Sequence, residues 1–67
     1  GIANLFSGQI SGGELAEKLE EQFGTSRSAC YRAIKEATDD KYLEVIGRGR
    51  RGKVYRKGYK ATDINIG

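Results

Sequence analysis

A chain of 67 residues has room for one small domain with a single modest core, and too little for a two-domain enzyme. One cysteine and no histidine exclude an internal disulfide and the Cys/His ligand set of a zinc finger. The net charge of +3 is unevenly spread: residues 1–24 carry four glutamates and one lysine, residues 25–47 balance, and residues 48–67 carry seven cations against Asp63.

No apolar run approaches the length of a bilayer span, and the N-terminus lacks the charged start and apolar stretch of a signal peptide. The expected setting is therefore soluble, reducing and cytoplasmic, with no membrane contact. The basic C-terminal third, by contrast, is expected to meet an anionic partner.

In "GIANLFSG" the apolar residues Ile2, Leu5 and Phe6 have the spacing of one helical face, which predicts a short first helix over residues 1–7. A helix that begins so near the first residue suggests a fragment of a larger protein. Next, Ser11 and Glu14 form an S-x-x-E capping box, and Ile10 and Leu15 take the positions of a hydrophobic staple. A second helix is predicted over 11–23, with Leu15, Ala16, Leu19 and Phe23 as its apolar stripe and Gly24 as its stop.

Gly12 and Gly13 leave open N–H groups at the start of this helix, a place where a phosphate is expected to be able to dock. Ser26 then caps a third helix predicted over 26–40, with Cys30, Ala33, Ile34 and Ala37 on the core side and Ser28, Arg32 and Lys35 on the other. Its end is less defined, because Asp39 and Asp40 oppose the helix dipole and no glycine provides a left-handed exit.

"YLEVIG" and "KVYRKG" are β-branched and aromatic runs on either side of a glycine-broken basic stretch, which predicts an antiparallel hairpin over 42–59 with a loop of several residues. Tyr42 and Tyr55 are expected to face the core, and Tyr31 and Tyr59 to be exposed. Ile64 and Ile66 alternate weakly, as an edge strand or a frayed end would.

The stretch "GRGRRG" at 47–52 fits the G-x-G-x-x-G pattern of dinucleotide loops, but such a loop must open a crossover helix, and the next residues here are the strand pattern "KVYRKG". The glycines are read instead as the bends of a hairpin tip carrying Arg48, Arg50, Arg51 and Lys53. No set of residues supplies a nucleophile with its base, a metal site or a phosphate pocket, so no enzymatic activity and no cofactor are expected. Cys30, with no histidine to activate it, is assigned to packing.

Three helices followed by a hairpin is the order of a winged helix-turn-helix domain, and "FGTSRSACYRAI" resembles that superfamily's turn and recognition helix, with Phe23, Gly24, Ser26, Cys30 and Ile34 in the patterned places. "IANLFSGQISGGELAEKL" resembles the elements before the turn, so the resemblance extends from residue 2 to about residue 59. Two departures are Glu20, where alanine is usual, and Lys41, where glycine is common.

The resemblance implies an α+β winged-helix fold over 1–67 that binds double-stranded DNA. Arg27, Ser28, Tyr31, Arg32 and Lys35 would be the recognition-helix contacts in the major groove, and Arg48, Arg50, Arg51 and Lys53 the wing contacts on the backbone or minor groove. More loosely, "SRSACYRAIKEA" and the basic wing resemble the C-terminal winged helices of phage and plasmid replication ATPases or primases, so a regulator and a replication protein are both candidate parents. A protein-binding winged helix, or one that binds RNA or single strands, is the alternative. Monomer and homodimer are both left open.

Overall fold

The computed structural model describes residues 2–63. A 3₁₀ turn, Ile2–Leu5, leads into strand β1 (Gln9–Ser11) and helices α1 (Gly12–Phe23) and α2 (Arg27–Asp39). Strands β2 (Leu43–Gly49) and β3 (Gly52–Lys57) come next, then a short helix α3 (Tyr59–Asp63). β3 lies between β1 and β2 and is antiparallel to both, which makes the protein a small α+β fold on a three-stranded sheet. Among the described residues, no helix is long and apolar enough to cross a membrane.

Local chemistry sets the helix ends. Ser11 has extended backbone and its hydroxyl accepts from the Glu14 N–H; Ser26 does the same for the Ala29 N–H, so each side chain satisfies a donor that the first helical turn leaves open. Gly24 closes α1 in the left-handed region, at φ 66°, with its N–H donating to the Glu20 carbonyl. The turn at residues 24–26 then brings α2 across α1.

The core lies between the two helices and one face of the sheet. Ile10, Leu15, Ala16, Leu19, Cys30, Ile34 and Leu43 are buried together, with Ile2, Leu5, Phe6, Ala37 and Tyr55 packed around them. Leu15, Ile34 and Leu43 are its largest fully buried side chains, and each burial contributes roughly 1.5–3 kcal/mol relative to exposure. Cys30 belongs to this core as a thiol, in hydrogen-bonding contact with the Thr25 hydroxyl at 3.2 Å.

Several expectations are corrected. The first helix, expected over 1–7, is a single 3₁₀ turn, because Gly8 at φ 71° and strand β1 leave no length for an α-helix. A helix expected nowhere, α3, comes after the hairpin, so the order of helices differs from the one expected. Phe23, the last residue of α1 before the Gly24 cap, leaves the apolar stripe and is 60% exposed. Tyr42 is 38% exposed because it precedes β2, and its ring lies under the Lys60 ammonium, 5.9 Å from ring centre to nitrogen. The strand extension expected at Ile64 and Ile66 lies outside the described residues.

The end of α2 explains one of the two departures. Lys41 occupies the left-handed region at φ 69°, its N–H donates to the Thr38 carbonyl, and the Tyr42 N–H donates to the Ala37 carbonyl. These two bonds are the Schellman closure, with lysine where glycine is favoured. The chain after it is held by the Gly58 N–H donating to the Tyr42 carbonyl, at a point where any Cβ on Gly58 would overlap the Lys41 carbonyl.

A left-handed L-residue costs roughly 1–2 kcal/mol, and glycine's greater freedom in the unfolded chain offsets roughly 0.5–1 kcal/mol of that. Lys41→Gly is therefore expected to stabilise the protein by about 0.5–1 kcal/mol in urea denaturation. Unchanged or reduced stability would contradict strain at this position.

Candidate nucleic-acid interface

Burial of Cys30 and Ile34 fixes the rotation of α2 about its axis. Ser28, Tyr31, Arg32 and Lys35 are thereby exposed, as is Arg27 at the first helical position. Lys35 is the freest of the paired cations, its side chain 80% exposed with only a 3.6 Å contact to Asp39 one turn on. Arg32 makes no ion pair among the described residues.

The hairpin is tighter than expected. β2 continues through Gly47, Arg48 and Gly49 to a closing pair with Gly52, leaving Arg50 and Arg51 alone in the turn. Neither arginine has positive φ; Gly52 takes it, at 98°, so the glycine permits the closure while the arginines keep ordinary backbone. A register shift between Val45 and Gly47 marks a bulge at Ile46.

Arg48 stands directly across from Lys53 in the ladder, and Val45 directly across from Tyr55. Tyr55 and Lys53, two residues apart on β3, share a sheet face. That face meets α2: Tyr31, Ile34, Lys35, Thr38 and Asp39 from the helix, Val45 from β2 and Lys53 and Tyr55 from β3 line one open groove of about 270 Å³. Burial in apolar surroundings, and next the neighbouring Tyr31, raise the Tyr55 pKa, so its phenol remains a neutral donor. On the alternate face, Glu44 stands across from Arg56 and forms an ion pair with it.

Two expected contacts are committed elsewhere. Arg27 meets Glu20 with two prongs, Nε to Oε1 at 2.7 Å and a terminal nitrogen to Oε2 at 3.3 Å. Arg51 forms a close ion pair with Glu17. The hydrogen bonds first, and the paired charges second, raise both arginine pKa values and lower that of Glu17. Glu20, the second departure, is therefore the partner of Arg27 across the interhelical turn.

Of the two N–H groups expected to be open at Gly12 and Gly13, that of Gly13 is taken. Both glycines are buried; the Gly13 N–H donates to the Arg51 carbonyl at 3.2 Å, and a Cβ on Gly13 would press on the Arg51 side chain at 3.0–3.3 Å. A Cβ on Gly12 would meet the Tyr55 ring at 3.4 Å. The glycine pair is thus a seat for the hairpin rather than a phosphate site.

The structure therefore brings Tyr31 and Lys35 on α2 together with Lys53 on the hairpin, with Arg48 across the ladder from Lys53; Ser28, Arg32 and Arg50 are exposed on the same two elements, and Arg27 and Arg51 pair with α1. Sequence reasoning missed Tyr55 as a groove residue and Glu17 and Glu20 as arginine partners. Glu17 and Arg51 are 34 positions apart, so no local spacing signals their pairing. No group of histidine, cysteine or carboxylate side chains suited to a metal ion occurs among the described residues. In comparisons with known proteins, no family model, no curated protein and no solved structure matches the chain.

Because its folded pKa is lowered, Glu17 contributes stability that is present above the ordinary glutamate range and is lost as pH falls through the lowered value. NMR titration of its carboxyl carbon is expected to show a midpoint below that range, returning toward it in Arg51→Ala. An unshifted midpoint in the unsubstituted protein would deny the ion pair in solution.

Proposed function

We propose that the protein is a winged helix-turn-helix module that binds double-stranded DNA, with α2 entering the major groove and the β2–β3 hairpin serving as the wing on the backbone or minor groove. The observation that carries this reading is the like-charged pair Arg48 and Lys53, opposed in the ladder and continuous with the groove that Tyr31 and Lys35 line. Like charges placed directly opposite destabilise a sheet, and the glycine-flanked hairpin needs neither of them to close. An anionic ligand compensates that cost by supplying the missing counter-charge.

Each part has a defined role. Arg32 and Lys35 can reach guanine O6 and N7, while Ser28 and Tyr31 donate to phosphate or to a base edge. Arg48, Arg50 and Lys53 neutralise the backbone. The acidic face of α1 supports a protein-binding alternative less than its composition implies, since Glu17 and Glu20 are each turned to an arginine. Such a module suits a transcriptional regulator or the replication protein of a mobile element, working in a reducing cytoplasm where Cys30 stays a thiol.

Five exposed cations that no α1 carboxylate holds, Arg32, Lys35, Arg48, Arg50 and Lys53, set the expected salt response: log K against log salt with a slope of about −4 to −5. Alanine at Arg48, Arg50 or Lys53 is expected to flatten it by about 0.9 each, whatever the DNA sequence. Arg32→Ala is expected to weaken preferred sequences by roughly 1–3 kcal/mol more than others. Fluorescence anisotropy on labelled duplexes measures both, and a flat salt response would exclude this function.

A further inference from the structure

Arg27 and Arg51 belong to the two elements that the DNA-binding reading brings to the duplex, yet both are occupied by carboxylates of a third. Glu17 and Glu20 are three residues apart on α1, on one face of the helix, and reach in two directions: Glu17 to the hairpin tip and Glu20 to the first residue of α2. The guanidinium fork that accepts a carboxylate with two parallel bonds accepts a phosphate in the same way. The two-pronged contact of Arg27 with Glu20 is of that kind.

We propose that Glu17 and Glu20 are resident competitors for DNA phosphates, which keep Arg51 and Arg27 out of the contact set and so hold the affinity and salt dependence of binding below what the chain's cations allow. The inference rests on the DNA-binding reading and specifies how that site is regulated. Its physical basis is counterion release: an arginine already neutralised by a carboxylate gains little when it meets a phosphate, because it leaves one anion for another. A released arginine adds a full phosphate contact.

The hairpin tip and α2 each have an anchor besides the two carboxylates. The hairpin tip stays seated through the bond from the Gly13 N–H to the Arg51 carbonyl, and α2 stays capped by Ser26. Glutamine preserves the shape of glutamate, so Glu17→Gln and Glu20→Gln free the arginines without emptying any space. Glu21 is exposed on the same helix and has no ion pair, which makes Glu21→Gln the control that removes equal charge.

The test is fluorescence anisotropy of a labelled duplex of about 20 base pairs, titrated with each variant between about 50 and 200 mM salt, with circular dichroism confirming the fold. The slope is expected to steepen by about 0.9 in Glu17→Gln and in Glu20→Gln and by about 1.8 in the double variant, with affinity rising roughly tenfold per released arginine near 0.1 M salt. Adding Arg51→Ala to Glu17→Gln should return the slope to its starting value, and Glu21→Gln should leave it unchanged. Salt-dependent binding by the unsubstituted protein with no steepening in the double variant overturns the inference alone, as does equal steepening in Glu21→Gln. No salt-dependent binding by the unsubstituted protein overturns the DNA reading together with the inference.

Discussion

The seat of the hairpin tip on the first turn of α1 is the contact on which the rest of the arrangement depends. Two consecutive glycines begin this helix, a choice that costs helix propensity, and both are buried under the hairpin. Their bare backbone lets Arg51 lie against the helix, and the Gly13 N–H, one of the donors a helix start leaves open, finds the Arg51 carbonyl. β1 adds to this by pairing with β3 directly before the helix begins, with Ile10 opposite Tyr55. The hairpin is therefore held by β1 along β3 and by the Gly13–Arg51 bond at its tip.

With the hairpin held, charge sorts itself between two surfaces. Glu17 and Glu20 of α1 are paired within the molecule with Arg51 and Arg27, and Glu44 on the alternate sheet face with Arg56. The surface of α2 and the hairpin has less compensation: Lys35 has only the 3.6 Å contact to Asp39, Arg48 opposes Lys53, and Arg32 and Arg50 have no carboxylate partner among the described residues. The net +3 of the whole chain understates this asymmetry, because four of its nine carboxylates stand on α1 while seven of its twelve cations lie in residues 48–67.

Much of the architecture was legible from short-range chemistry. The two serine caps, the Gly24 stop, and the burial of Cys30 and Ile34 follow from spacing within one or two helical turns, and spacing is visible in a sequence. What escaped depends on contacts far along the chain. Phe23 fits the apolar period but sits at the exposed end of its helix, and period alone does not say where the packed surface stops. Gly47 and Gly49 have the composition of a loop, but cross-strand bonds to Val54 and Gly52 make them strand. Lys41 was visible as a lysine where the resembled pattern has glycine, and its backbone takes the conformation that glycine would serve. For the interface, the exposed face of α2 was readable from periodicity, whereas the diversion of Arg27 and Arg51 to α1 needed the tertiary arrangement.

The central claim is that α2 and the hairpin form one cationic surface for duplex DNA, with the outer face of α1 left out of it. Backbone amide NMR during titration with a short duplex tests this most directly. The account predicts that the resonances of residues 28–35 and 48–53 shift together, with one common dissociation curve, while those along the exposed face of α1 at Lys18 and Glu21 stay in place. Shifts concentrated on α1, or hairpin shifts without any on α2, would contradict it.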